Sequence, residues 1–399
     1  MRILLVHNFY GSDAPSGENA VFWAEKHLLQ KLGHTVKTFT RNSDEIRGAP
    51  LLGAIRGGAA VPWNPFAVME LKKIVESFEP DLVHAHNTFP LISPGIFHAI
   101  GTRAARVLTL HNYRLLCSAG IPMRGGQTCT QCIDQRSVLP ALKYRCYRGS
   151  RLATVPLAVN VALHRAMGTW QRQVDAFIVL SDFQKHLMGI GGLPLEKCYV
   201  KPNFYSGQPQ QILWAERGNY VVFVGRLSPE KGLRALIKAW VDWGVDAPEL
   251  RLVGDGPLRE VLQRQASGAN VRFLGQVNSV EAESQIARAQ LLVLPSECFE
   301  GFPMVVREAF AFGTPAAVSN IGPLPNIVKS GVSGLLFEPG NFVSIRERIS
   351  EAWKTSGLLE RLSKGARDAF DTLYNEKANY EMLMNIYQEA IITNRSIRS

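Results

Sequence analysis

Short apolar runs alternate with stretches of helical spacing along most of the chain, which is the rhythm of a parallel α/β protein. Residues 3–6 form the first apolar run, and a polar loop over 7–18 carries Gly11, Pro15, Ser16 and Gly17. Helical spacing follows over 20–32, Gly33 closes it, and 34–39 reads as the next strand. Further strands are predicted at 81–86, 106–110, 176–181 and 199–204, with a helix over 66–78. Residues 42–66 are rich in Gly, Pro and small side chains and predict a long loop or broken helices. Residues 205–219 have the composition of a linker. Beyond them the pattern restarts, with strands at 220–224, 250–253, 271–274, 291–294, 314–318 and 334–337, a helix over 233–240 and a helical tail from 358. A chain of 399 residues exceeds one ordinary core, so two domains are expected, 1–205 and 206–375, with a closing helix over 376–399.

Candidate chemistry clusters where these strands end, because the carboxyl ends of strands in open α/β sheets face the ligand crevice. In the first half, 81–86 ends at His84, His86 and Asn87, and 106–110 ends at His111, Asn112 and Tyr113. His111 is the best candidate there for chemistry, and at least one of His84 and His86 is expected to be structural. The first loop lacks Gly-x-Gly-x-x-Gly, which argues against a dinucleotide oxidoreductase. Gly17 either brings backbone close to a phosphate or serves only as a turn.

In the second half, Arg226 and Lys231 flank a strand-to-helix turn, where they could offset a diphosphate. Backbone near Val277 could meet a base. The stretch 291–308, LLVLPSECFEGFPMVVRE, runs from a buried strand through a loop into a helix. Pro303 suits the opening turn, where its missing N–H costs nothing. The backbone of Gly301, Phe302, Pro303, Met304 and Val305 surrounds a helix end whose free amides and dipole favour phosphate. Glu300 and Glu308 are better acceptors for sugar hydroxyls than neighbours for phosphate. The plainer alternative is a strand-turn-helix unit with two solvated glutamates.

Charge adds a second theme. The formal net charge is +10, and residues 101–172 hold eleven Lys and Arg against one acid, Asp134. Such a region favours an anionic partner, either a phospholipid surface or a phosphate-bearing substrate. No nucleic-acid motif accompanies it. Residues 150–170 are apolar, Arg-flanked and interrupted by Pro156, and fit either a membrane surface or core packing. No run approaches the ~18 apolar residues of a spanning helix, and the first residues read as a strand. A cytoplasmic location is expected, peripheral on the inner face of the membrane. Cys117, Cys129, Cys132 and Cys146 have spacing compatible with a structural zinc, while Cys198 and Cys298 read as buried thiols.

Taken together, these residues resemble the retaining glycosyltransferases of family 4. The resemblance covers nearly the whole chain and is strongest over 220–339, in VGRLSPEKG, VGDGP and FEGFPMVVREAFAFGTP. It implies an α/β GT-B fold of two facing Rossmann-like domains, with the last helix crossing back to the first. It also implies that Arg226 and Lys231 hold the donor diphosphate, Glu308 the ribose and Glu300 the transferred sugar. His111 would lie beside the reacting carbon, and residues near Val277 would receive the base. The expected reaction is sugar transfer from a nucleoside-diphosphate sugar to a saccharide or lipid-linked saccharide, with retention, in exopolysaccharide, capsule or lipopolysaccharide synthesis. No catalytic cofactor is expected, and the chain contains no Asp-x-Asp to clamp a metal at the donor. Two departures stand out. Gly17-Glu18-Asn19 replaces the usual Gly-Gly pair, and the cysteine-bearing insert, about 113–150, resembles only a subgroup in polysaccharide assembly. A nucleotide-sugar epimerase of the same fold and a non-catalytic nucleotide-sugar or saccharide-binding protein are the alternatives.

Overall fold

The computed structural model describes residues 1–11, 16–46 and 50–398. It contains two six-stranded sheets, each the centre of its own compact unit. The first unit comprises Met1–Pro122, Cys129–Pro202 and the chain from Asn379 onward. The second comprises Asn203–Ala378 together with a small hairpin, Met123–Thr128.

The first sheet is built from β1 (Arg2–Phe9), β2 (Thr35–Asn42), β3 (Leu82–Asn87), β4 (Ala105–Leu110), β7 (Ala176–Val179) and β8 (Cys198–Val200). The hairpin strands β5 (Met123–Arg124) and β6 (Gln127–Thr128) interrupt the numbering. All ladders in the sheet are parallel, in the order β2-β1-β3-β4-β7-β8. β3, β4 and β7 are buried along their whole lengths, as expected for strands covered by helices on both faces. The second sheet runs β11-β10-β9-β12-β13-β14, all parallel, from β9 (Tyr220–Val224), β10 (Glu249–Val253), β11 (Val271–Gly275), β12 (Leu291–Leu294), β13 (Ala316–Ser319) and β14 (Gly334–Phe337).

Counted within its own sheet, the second order is 3-2-1-4-5-6, that of dinucleotide-type Rossmann folds, and the first is 2-1-3-4-5-6. Each sheet therefore has a point where successive connections depart in opposite directions. It lies between β1 and β3 in one sheet and between β9 and β12 in the other.

Helix Gly17–Lys31 buries Val21, Phe22, Glu25, Leu28 and Leu29, a stripe at helical spacing with one carboxylate in it. The final helix, Glu376–Arg398, contributes Leu383, Ile386, Tyr387 and Ala390 to the core that contains Ile3, Phe22 and Val107. Tyr380 Oη lies 2.9 Å from His34 Nε2 in the same unit.

Residues 42–66 contain a 3-10 turn, Ser43–Ile46, and a helix, Pro50–Ala60, in keeping with the broken helices expected there, while 47–49 fall outside the described residues. One element differs from the sequence expectation. Pro156 does not interrupt its segment, since Arg151–Ala166 is one helix. The carbonyl that loses its partner to Pro156 belongs to Leu152, which is 86% exposed, so water can take the place of the missing N–H. Among the described residues no helix is long and apolar enough to cross a membrane.

Candidate functional site

In the second unit, the loops leaving β9, β10, β11 and β12 interlock through backbone. Gly225 N–H donates to Val253 O, Leu227 N–H to Asp255 O, and Gly254 N–H to Gly275 O. A Cβ on Gly254 would stand 2.0 Å from Gly225 O, and one on Gly232 would stand 1.9 Å from Pro295 O. With φ of +66° at Gly232 as well, only glycine fits there. The VGRLSPEKG turn is thus held against the start of the FEGFP loop, and Glu297 N–H donates to Glu230 O.

That clamp brings together two residues separated by 68 others. Lys231 Nζ donates to Glu300 Oε1 at 2.7 Å, and the Ser296 hydroxyl donates to the same oxygen. The side chains are 23% and 12% exposed, so the pair is reachable from outside. Burial works against both charges. Lys231 nevertheless holds the Glu300 carboxyl below its ordinary range, and Glu300 holds the Lys231 ammonium above its own. Arg226, on the same turn, is exposed.

Helix Met304–Ala311 begins one residue later than the sequence suggests, with Pro303 at its N-cap. Gly301 and Phe302 therefore belong to the preceding loop, and Met304 and Val305 supply the first helical amides. Val306 N–H is already bonded to Pro303 O. Glu308 pairs with Arg307, its Oε1 3.0 Å from Arg307 Nη2. Burial raises the Glu308 carboxyl in spite of that partner. Val277 sits half-buried in the loop after β11, just before helix Ser279–Arg288.

In the first unit, the ends of β1, β3 and β4 meet around His111. His111 Nε2 is 3.1 Å from His86 Nδ1, and Asn112 Nδ2 donates to Glu18 Oε1 at 2.9 Å. Burial, with His86 and His7 beside it, pushes His111 well below the usual imidazole range, so the ring is neutral near pH 7. Glu18 is pushed up to about 7 by burial, and its Oε2 has no hydrogen-bond partner among the described residues. Gly17 opens the helix that carries Glu18, and residues 12–15 before it lie outside the described residues.

Behind His111 lies a buried network that the sequence reading missed. Lys201 Nζ donates to Glu25 Oε1 at 2.7 Å, and Glu25 Oε2 is 3.4 Å from His86 Nε2. His84 is structural, its nitrogens 2.8 Å from Tyr387 Oη and 2.7 Å from Thr109 Oγ1. Glu25, His84 and His86 offer ligand atoms within 4.8 Å of one another. They do not suit a metal, because Lys201 already supplies the positive charge and both His84 nitrogens are engaged. The available signal was Glu25 itself, a charge on the apolar stripe of its helix.

The zinc expectation is not supported. Cys117 and Cys132 are buried, and Cys129 and Cys146 are half-buried. Among the described residues no three of their sulfurs come within 4.8 Å of one another, too dispersed for a tetrahedral cage. Burial raises the Cys132 thiol to about 11, with Cys117, Cys146 and Cys129 near enough to add to the shift.

The basic region also contracts. Arg106 is 2% exposed and forks onto Asp175, with Nη2 to Oδ1 at 2.8 Å and Nε to Oδ2 at 3.0 Å. Exposed cations of the region include Arg103, Arg136 and Arg172 and, close together along the chain, Lys143, Arg145, Arg148 and Arg151, in the same stretch as exposed Leu139, Leu152, Val155 and Val159.

Comparison with known proteins follows this architecture. The family described as Glycosyltransferase Family 4 matches residues 17–206, and Glycosyl transferases group 1 matches 206–369. An exopolysaccharide phosphotransferase of Streptomyces coelicolor is 36% identical over 206 residues, covering 49% of this chain and 21% of that protein. The putative teichuronic acid biosynthesis glycosyltransferase TuaC of Bacillus subtilis is 24% identical over 98% of this chain and 100% of its own length. Among solved structures, HepE of Anabaena in complex with UDP superposes with a TM-score of 0.65 at 18% identity, covering 97% of this chain and 100% of that one. The chain thus spans about a fifth of the first relative and the whole of the second.

Proposed function

The chain belongs to the family 4 glycosyltransferases with the GT-B fold, and from that premise we propose that it moves a sugar from a nucleoside-diphosphate donor to a saccharide or lipid-linked saccharide of the cell envelope, with retention. The observation that carries the reading is the Lys231–Glu300 pair at the crossover point of the second sheet. A diphosphate arriving there is attracted by Lys231 and by exposed Arg226, while Glu300 remains an acceptor for sugar hydroxyls. The amides of Met304 and Val305 and the helix dipole add partial positive charge as negative charge develops on the leaving group. Glu308 is the acceptor for the ribose, and backbone near Val277 the seat of the base. These cations make donor activation independent of a divalent metal. His111, neutral, is the proposed uncharged polar contact for the reacting sugar.

The names of the relatives support an envelope glycan as product, and the UDP complex of the structural neighbour supports a nucleotide-sugar donor. The basic cluster around Lys143 to Arg151, with the apolar side chains in the same stretch, supports docking on an anionic membrane surface near a lipid-linked acceptor. The test is incubation with a panel of nucleotide sugars, with and without saccharide acceptors, in chelator. Transfer, or slow donor hydrolysis, is the expected result. Conversion of donor to an isomer without acceptor would instead identify an epimerase, and binding without turnover a non-catalytic protein.

A further inference from the structure

We propose that Glu25 and His86 are positioning residues that act through His111, fixing its imidazole as the Nε2–H tautomer and leaving Nδ1 as a bare acceptor. The inference rests on the role proposed above for His111.

The argument runs outward from the buried end. Burial alone would neutralise Glu25, yet Lys201 at 2.7 Å, with the His86 ring beside it, outweighs burial and holds the carboxyl well below its ordinary range, so the group is an anion. Its Oε1 is taken by Lys201 at 2.7 Å. Its Oε2 faces His86 Nε2 at 3.4 Å, and neither atom has another hydrogen-bond partner among the described residues. A bare ring nitrogen in that position would set its lone pair against a carboxylate in a low-dielectric interior, so the proton of His86 sits on Nε2. His86 Nδ1 then carries the lone pair and accepts from His111 Nε2–H at 3.1 Å. The second nitrogen of His111, Nδ1, is left unprotonated.

The other groups around His86 do not compete for its protons. His84 lies tilted against it, 4.3 Å between centroids, with both nitrogens satisfied by Tyr387 and Thr109, and His7, at 6.3 Å between centroids, is bonded to Asn19. The order of groups, carboxylate to imidazole to reacting-side group, follows the logic by which a buried acid selects one tautomer of a catalytic histidine. Here the selected group is a second imidazole.

Two measurements on the full-length chain test this. Long-range 1H–15N spectra of histidine-labelled protein, with His111 assigned by its loss in His111→Asn, are expected to show the Nε2–H form of His111 across pH 6–8. In His86→Phe, which keeps ring volume but removes both nitrogens, the His111 signals should move to a tautomer mixture. Turnover should then fall on the order of 10²-fold, with the donor KM little changed. The double variant Glu25→Gln/Lys201→Met removes the buried charges together and should shift His111 the same way. A wild-type His111 in the Nδ1–H or charged form overturns the inference, as does an unaltered tautomer or unaltered turnover in a folded His86→Phe. The underlying reading of His111 is judged separately: near-normal turnover in His111→Asn defeats it, whereas an inactive His111→Asn beside a fully active His86→Phe defeats only the relay.

Discussion

Lys231 Nζ and Glu300 Oε1 lie 2.7 Å apart, and the two residues belong to different loops held in register by backbone contacts on either side. The arrangement gives the cation a partner before any ligand arrives. It also means that removing either residue leaves the other partly buried and unpaired. Lys231→Ala should lower turnover on the order of 10²–10³-fold, the scale for one oriented electrostatic donor. Lys231→Ala/Glu300→Gln should lose less than the two single losses combined, because the orphaned carboxylate is gone. Steady-state kinetics arranged as a double-mutant cycle measure this, and strictly additive effects would contradict the coupling.

Glu18 should make stability depend on pH in an unusual sense. Its ordinary value of 4.5 in the unfolded chain is pushed up to about 7 in the folded protein. Between those values the folded state holds a proton that the unfolded chain has released, so stability falls as pH rises from about 5 to 7. Glu18→Gln should flatten that part of the profile and be the more stable protein at pH 8. Urea midpoints at several pH values provide the check, and an unchanged slope in the variant would exclude Glu18 as its source.

Gly232→Ala should destabilise the second unit by on the order of 3 kcal/mol or more, because positive φ and a carbonyl contact at 1.9 Å act together. Gly357→Ala is the control, since Gly357 shares the left-handed conformation, with φ of +71°, but has nothing within 4 Å of the added carbon. The control should lose only about 1 kcal/mol. Equal unfolding midpoints in the two variants would show that the close approach to Pro295 carries no energy.

Vesicle flotation addresses the basic cluster. Binding to anionic vesicles should weaken as salt is raised to about 0.5 M, where screening shortens to a few ångströms. Lys143→Gln/Arg148→Gln/Arg151→Gln should lose most of the attraction, and Leu152→Ser/Val155→Ser should lose retention while keeping the salt response. Association with neutral and anionic vesicles alike would point to apolar adsorption alone.

How much of this was readable in the chain depended on how local the cause was. β12, Leu291–Leu294, is found where the sequence places it, because four consecutive buried apolar residues bounded by polar ones leave little freedom. The strand-to-helix turn after β9, which carries Arg226 and Lys231, was legible for the same reason. Pairings across the fold were not. Arg106 counts as surface charge in the sequence and is buried against Asp175, 69 residues on; Lys231 and Glu300 are the same distance apart. Cysteine spacing showed that four thiols are neighbours along the chain, but not where their sulfurs point. Pro156 was read as a break because sequence alone does not tell whether the freed carbonyl faces water.

The last helix has a consequence for how the protein is made. Tyr387 and its neighbours close the core to which β1 contributes, so β1, made before the second sheet, waits for residues that leave the ribosome after that entire sheet. Until then the first sheet carries an uncovered apolar face on the nascent chain, a natural client for chaperones, and the second sheet is free to mature ahead of it.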